Sequence, residues 1–261
     1  MMEPLRERIQ EEPVIGTWLN TNSPVVAELL ASLGFDFLTV DAEHSAIGIT
    51  EAQALYQAIA AGNSDCTPLV RLPETNYETV KRHLDAGAKG VIAPLINTPE
   101  QAQEVVDASK YPPEGQRGVG FARSNTYGAN FDTSVPYDND ETLVCVQIEH
   151  RQAIENIDEI LAVDGIDAAL FGPYDLSASL NVTGQFDHPK FEEAIDTAEA
   201  ACREHDTVLG THVVQPDVDE ATQRIEDGYR LLAYSLDITV LSEVFGNDLN
   251  EIRSVASDYD R

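Results

Sequence analysis

Short apolar runs alternate with amphipathic stretches along almost the whole chain. Eight runs read as strands: Val14–Leu19, Phe37–Val40, Pro68–Leu72, Gly90–Leu95, Leu143–Ile148, Ala168–Phe171, Thr207–Val213 and Leu231–Tyr234. Between them, Pro24–Ser32, Thr50–Ala61, Tyr77–Ala86, Pro99–Ser109, Ala153–Leu161, His188–Glu204 and Asp217–Asp227 carry apolar residues at helical spacing. Strands that alternate with helices imply a parallel sheet. Eight such units, at roughly 30 residues each, predict closure into a (β/α)8 barrel, one α/β domain over residues 1–261. An open doubly wound sheet is the alternative. It would call for a Gly-rich phosphate turn after the first strand, and Leu19-Asn20-Thr21-Asn22-Ser23 offers none. One connection breaks the rhythm: residues 111–140 are rich in Gly, Pro, Asn and Asp with weak periodicity, and read as a long, lid-like loop.

Composition narrows the possible partners. Hydrophobic residues make up 43% of the 261, enough for a real core. Sixteen Lys and Arg face 46 Asp and Glu, a net charge of −30. That balance argues against a nucleic-acid binder, which needs cations against phosphates, and against an anionic membrane surface. Acids crowd helix faces, as at Glu192, Glu193, Asp196, Glu199 and Glu204. The expectation is an acid-coated surface suited to high salt, hence a halophilic source, with an acidic functional patch as the alternative. No apolar run approaches the roughly 20 residues that cross a bilayer, and Met1 to Arg8 lacks an apolar signal core. A soluble cytoplasmic protein is expected. Cys66, Cys145 and Cys202 are odd in number and without C-x-x-C spacing, which predicts buried packing residues.

In such a barrel, reactive groups collect where strands end. Asp41, Glu43 and His44 follow the second run, Arg71 lies near the end of the third, Gln147 and Glu149 mark the fifth, and Phe171-Gly172-Pro173-Tyr174-Asp175 follows the sixth. Glu149 and Asp175 make the best pair, because two carboxylates plus waters suit Mg²⁺ or Mn²⁺. Either could instead cap a following helix, Asp175 above all. His44 at a mouth can exchange protons near neutral pH, or it can be structural. A guanidinium at Arg71 suits a carboxylate or a developing oxyanion, or a barrel-end ion pair. Asp41 and Glu43 can serve as loop caps, and Trp18 can wall a pocket or simply pack. A Schiff-base route needs a desolvated Lys at the mouth. Lys81, Lys89, Lys110 and Lys190 are the four in the chain, and none ends an expected strand.

Four stretches together resemble the HpcH/HpaI aldolase family, the metal-dependent pyruvate aldolases. They are Val40-Asp41-Ala42-Glu43-His44, Pro112-Pro113-Glu114-Gly115-Gln116-Arg117-Gly118-Val119-Gly120, Val146-Gln147-Ile148-Glu149 and Phe171-Gly172-Pro173-Tyr174-Asp175-Leu176-Ser177. The likeness runs from about Thr17 to Asp237. The resemblance implies that Glu149 and Asp175 hold a divalent metal, Mg²⁺ or Mn²⁺ with Co²⁺ a third choice, and that Gln147 sits beside it. It implies that His44 moves protons, that Asp85 orients His44, and that Arg71 binds the pyruvate oxygen. Backbone amides near Gly172 and Tyr174 would take the pyruvate carboxylate, and Trp18 and Asp41 would line the aldehyde side. The implied reaction splits a 2-keto-3-deoxy sugar acid, or a related 4-hydroxy-2-keto acid, into pyruvate and an aldehyde. The implied assembly is a homohexamer, its last helix packed on a neighbour. Two alternatives stand beside it: a carbon–carbon lyase acting on a CoA thioester, and a non-catalytic, metal-stabilised assembly protein. Ala42 stands where the family has Gly, and Tyr174 where it often has a small Ala, so a bulky ring could reshape the pocket. Residues 210–217 align poorly, leaving His212 either a substrate contact or a packing residue.

Overall fold

A computed structural model of the chain describes residues 3–129 and 131–258. Strands β1 (Val14–Leu19), β2 (Phe37–Asp41), β3 (Thr67–Arg71), β4 (Gly90–Ala93), β5 (Leu143–Ile148), β6 (Ala168–Phe171), β7 (Val208–Val213) and β8 (Leu231–Leu236) close in sequence order into a barrel. Each pairs in parallel with the next, and β8 pairs with β1. These are the eight expected runs, with small shifts at their ends.

Both faces of the wall are covered, which is why the runs read as continuously apolar rather than alternating. Val14, Trp18, Phe37, Leu69, Ile92, Leu143, Cys145, Leu170, Val208 and Leu231 pack into one buried cluster inside the barrel. Their strand neighbours Leu38, Val40, Val70, Val91, Val144, Val146, Ala169 and Leu209 pack outward, against helix residues such as Leu55, Ile59, Leu84 and Val105. Gly16 is needed where it stands, because a Cβ there would run into the Phe37 ring.

A helix at Leu5–Glu11 was not apparent in the hydrophobic pattern, since seven residues give too few periods to register. It sends Leu5 and Ile9 into the inner cluster and so plugs the barrel's N-terminal end. Arg6 to Asp167 (2.6 Å) and Arg8 to Asp36 (2.5 Å) tie it down.

The expectation of one long loop over residues 111–140 needs correction. The stretch contains a 3-10 turn at Thr126–Gly128 and a helix at Phe131–Glu141. Pro136 inside that helix, with its run of Asp and Asn, masks the helical signal. Buried polar groups hold the two ends together: Lys110 Nζ donates to the carbonyls of Asn139 and Thr142, both at 2.6 Å. Arg117, 1% exposed, lies 4.4 Å over the Tyr111 ring.

The helix Asp237–Asp258 leaves Leu241, Val244, Phe245 and Ile252 exposed. No helix among the described residues is long and apolar enough to cross a membrane. All three cysteines are free and buried, as their spacing predicts.

Candidate active site

Parallel closure puts the C-terminal tips of all eight strands at one mouth, so residues distant in sequence converge there. Asp41, the last residue of β2, is 1% exposed and organises one side. Its Oδ1 accepts from Arg71 Nε (3.0 Å) and from the backbone N–H groups of Glu43 and His44 (3.1 Å each). Its Oδ2 accepts from Arg71 Nη2 (2.7 Å) and Asn20 Nδ2 (2.9 Å). Asp41 is therefore both loop cap and ion-pair partner. Burial opposes its ionisation, but the bonds and charge of Arg71, with those of His44 N–H and Asn20, outweigh burial and hold the carboxyl below its ordinary value.

Arg71 also lies 3.2 Å from Glu43 through Nη1. Burial raises the Glu43 carboxyl; Arg71 and His44 pull it down, while Asp41 and Asp175 push it up. His44, 66% exposed, turns Nε2 to 3.8 Å from Glu43. Glu43 thus links the guanidinium to the imidazole, a role its position in the sequence does not announce.

Glu149 follows β5 and is 4% exposed. Its Oε1 accepts from the Leu95 backbone N–H at 2.7 Å, and its Oε2 accepts from Gln147 Nε2. Leu95 makes that contact from a left-handed backbone, φ 54°, which a branched aliphatic residue seldom adopts. Gly172, after β6, lets the two strand tips close up: a Cβ there would stand 2.8 Å from Glu149 Cβ and 2.8 Å from its Oε2. Burial, then the negative charges of Glu43 and Asp175, push the Glu149 carboxyl up to about 7 against the Leu95 hydrogen bond and Arg71.

Asp175 is exposed, in the first turn of the helix Pro173–Ser179. The N-cap of that helix is Gly172, with no side-chain cap bond, so the capping alternative for Asp175 falls away. The Gly172 N–H donates to the Ile148 carbonyl at 3.2 Å. Pro173 has no N–H, which leaves Tyr174 and Asp175 as the first-turn amides open to an anion.

These donors fit a hard divalent cation. The Glu149 carboxyl is raised by burial and by the charge of Asp175, both of which a cation would offset, and Gln147 Oε1 is buried without a partner among the described residues. Glu149 and Asp175 would hold the ion. Among the described residues no group of three or more His, Cys, Asp or Glu side chains is arranged for a metal, so water or substrate oxygens must complete the shell.

Tyr174 packs its ring on a neighbouring aromatic side chain. Its ring is half exposed and meets Phe186 edge-on, centroids 5.2 Å apart at 83°. It lines a cavity of about 460 Å³ that Phe171, Phe191, His212 and Tyr229 also border. Trp18 and His212 belong to the mouth's interior wall. Their rings stack at 4.7 Å and 7°, and the Arg71 guanidinium carbon lies 4.4 Å over the indole.

Asp85 lies apart from this group. Its carboxylate accepts from Arg117 Nη2 at 2.8 Å, and it borders a separate cavity with Arg82 and Arg123. Within this chain, Glu43 stands next to His44 in the place expected for Asp85. The features that sequence reading passed over are Asn20 and the Leu95 amide, neither of which carried a signal. Glu43 stood among the strand-end groups, but as a possible loop cap and not as the link between Arg71 and His44.

Comparison with known proteins points the same way. The family model for HpcH/HpaI aldolase/citrate lyase matches residues 14–243. A hydroxypyruvate/pyruvate aldolase of Roseobacter denitrificans is 36% identical over 95% of this chain and 93% of its own length. A 2-keto-3-deoxy-L-rhamnonate aldolase of Escherichia coli K12 is 35% identical over 97% of this chain and 94% of its own. Among solved structures, an HpcH/HpaI aldolase/citrate lyase family protein from Burkholderia cenocepacia superposes with a TM-score of 0.89 at 34% identity, covering 95% of this chain and 98% of that one.

Proposed function

The chain belongs to the HpcH/HpaI aldolase/citrate lyase family and is a carbon–carbon lyase of the pyruvate-aldolase type, and from that premise we propose that it splits a 2-keto-3-deoxy sugar acid, or a related 4-hydroxy-2-keto acid, reversibly into pyruvate and an aldehyde. One observation carries the reading: Gly172 lets buried Glu149 stand tight against the start of the helix that carries Asp175, where the charges of both Asp175 and Arg71 act on it.

A divalent cation at those carboxylates, Mg²⁺ or Mn²⁺ with Co²⁺ a third choice, supplies Lewis acidity and a chelation point for the keto acid. The chain does the rest. Arg71 places fixed positive charge where the C2 oxygen gains negative charge as the C3–C4 bond breaks. Asp41 grips two of its nitrogens, so that charge is positioned before substrate arrives. His44 takes the proton of the C4 hydroxyl, releasing the aldehyde, and Glu43 stabilises the imidazolium that results. The amides of Tyr174 and Asp175 receive the pyruvate carboxylate. Gln147 keeps Glu149 in place from one side and Leu95 from the other.

The exposed apolar residues of the helix Asp237–Asp258 support packing on a neighbouring subunit, with a homohexamer as the expected assembly. The protein acts on small keto acids and aldehydes in the cytoplasm. The deciding experiment is a panel of 2-keto-3-deoxy acids scored by pyruvate release, including the L-rhamnonate derivative. Release should stop with EDTA and return with Mg²⁺ or Mn²⁺. Turnover that ignores the chelator would overturn the reading.

A further inference from the structure

Trp18 is the chain's only tryptophan. Its indole is 2% exposed, and its Nε1 has no hydrogen-bond partner among the described residues. No hydrogen bond therefore orients the ring, which leaves packing against its faces to do so. His212 lies parallel to it at 4.7 Å, and the Arg71 guanidinium carbon sits 4.4 Å from the ring centroid. In the closed strand order β7 and β3 each stand two strands from β1, in opposite directions round the barrel, so the two partners approach the indole from opposite directions.

His212 is itself fixed. Its Nε2 is 3.0 Å from the Ser235 carbonyl, which also accepts from Thr17 Oγ1 at 3.2 Å. A carbonyl only accepts, so Nε2 carries the proton. Ser235 takes a left-handed backbone, φ 54°, to aim that carbonyl inward, and its hydroxyl bonds the Val214 carbonyl at 3.1 Å. A serine held there is strained and persists only where its surroundings over-determine it. Burial lowers the imidazole to about 4, so a neutral ring, and not a second cation, faces the stack that Arg71 completes.

We infer that His212 is a positioning residue for the aldol reaction: through Trp18 it sets the plane of the Arg71 guanidinium. The inference rests on the pyruvate-aldolase reading. Its physical basis is that Arg71 is pulled by Asp41 and Glu43 on its edge, and edge bonds leave the plane free to tilt about them. A flat platform removes that freedom. The indole is such a platform only while something flat supports its other side. A displacement of about 1 Å at a charge that must meet a developing oxyanion can cost on the order of 100-fold in rate.

A residue that merely fills space would be replaced equally well by any side chain of similar bulk, and three variants separate the two roles. His212→Phe keeps a flat ring, His212→Leu keeps bulk without flatness, and His212→Gln keeps a donor without a ring. Two measurements apply. Emission of Trp18 in the metal-free protein reads the stack directly, since no other indole contributes. Deuterium exchange at C3 of pyruvate, with Mg²⁺ and no aldehyde, reads the half-reaction that Arg71 serves. His212→Phe should exchange within about threefold of wild type. His212→Leu and His212→Gln should slow exchange about 10- to 100-fold, mainly in kcat with the pyruvate KM little changed, and should shift Trp18 emission. His212→Leu exchanging at the wild-type rate, or His212→Phe as slow as His212→Leu, overturns the role. Unaltered Trp18 emission in His212→Leu overturns the stack itself. Wild-type protein that exchanges no C3 proton fails the aldolase reading and takes this role with it.

Discussion

Replacing Gly172 with Ala tests whether the two strand tips must approach as closely as they do. The glycine is not there for its backbone: φ is −98° and ψ 89°, open to alanine. It is there for space. A methyl carbon would stand 2.8 Å from Glu149 Cβ and Oε2, and 3.1 Å from Gln147 Nε2. Carbon atoms rest about 3.5 Å apart or more, so roughly 0.7 Å must be found. The carboxylate oxygen can swing, but Cβ moves only with its strand. Overpacking of this kind costs about 1–3 kcal/mol, and for a chain of this size each kcal/mol lowers Tm by about 2–4 °C. The larger effect falls on chemistry: a ligand pushed aside should weaken metal binding about 10- to 100-fold, with kcat falling in step. Titration calorimetry with Mn²⁺ measures the first and pyruvate release the second. Gly120→Ala is the control, since nothing lies within 4 Å of the added carbon. If Gly172→Ala bound metal and turned over as wild type does, Glu149 would not be a ligand from its place against Gly172.

The remaining expectations concern the same site and the surface. Glu149→Gln should lose metal affinity and nearly all turnover while staying folded by circular dichroism. The folded Glu149 carboxyl titrates near 7 against an ordinary 4.5, so the metal-free protein holds an extra proton between those values. Stability from this group is full below the lower value and is lost as pH rises through the upper one. Metal must displace that proton, so affinity should rise roughly tenfold per pH unit up to about 7 and then level off, which calorimetry across pH 5.5–8 would read. His44→Ala should bind metal normally but slow turnover by about 10²–10⁴-fold; an unchanged rate would remove His44 from the chemistry. Oxalate should bind only once metal is present, and calorimetric binding of oxalate to metal-free protein would contradict the site. A net charge of −30 should make Tm fall as salt is removed, and full stability in dilute buffer would end the halophilic expectation.

The barrel was legible because its strands are buried on both faces and its helices on one, which leaves short continuous apolar runs between stretches of helical period. What faded was short or locally contradictory: the Leu5–Glu11 helix, and the Phe131–Glu141 helix with Pro136 in its middle. The site was legible where a strand tip carried an ionisable residue, as at Asp41, Arg71 and Glu149. It was not legible where function depends on what a neighbouring strand presents. Glu43 matters because β3 brings Arg71 beside it. The Leu95 amide matters because its backbone turns left-handed toward Glu149. Tyr174 looked obstructive as a residue type, yet Phe186, a dozen positions on, gives its ring somewhere else to rest. Asp85 looked like a partner for His44, but within this chain its carboxylate is held by Arg117, a residue too far along the sequence for spacing to connect.

Charge at the mouth explains why these parts belong together. Asp41, Glu43, Glu149 and Asp175 gather around a single guanidinium, Arg71, whose charge is committed to Asp41 and Glu43. A keto acid brings yet another negative charge. Without an added cation the site repels its own substrate, and the Glu149 carboxyl, raised first by burial, is pushed further up by the charges of Glu43 and Asp175. A divalent ion held by Glu149 and Asp175, the two of these carboxylates not ion-paired with Arg71, would offset that repulsion. The same arithmetic weighs against a CoA thioester. Its phosphates would need cations spread over a wide surface, whereas this chain has 16 Lys and Arg in all against 46 acids, and its mouth concentrates demand for positive charge at one place. A small keto acid that brings its oxygens to that one place meets the demand without adding charge elsewhere.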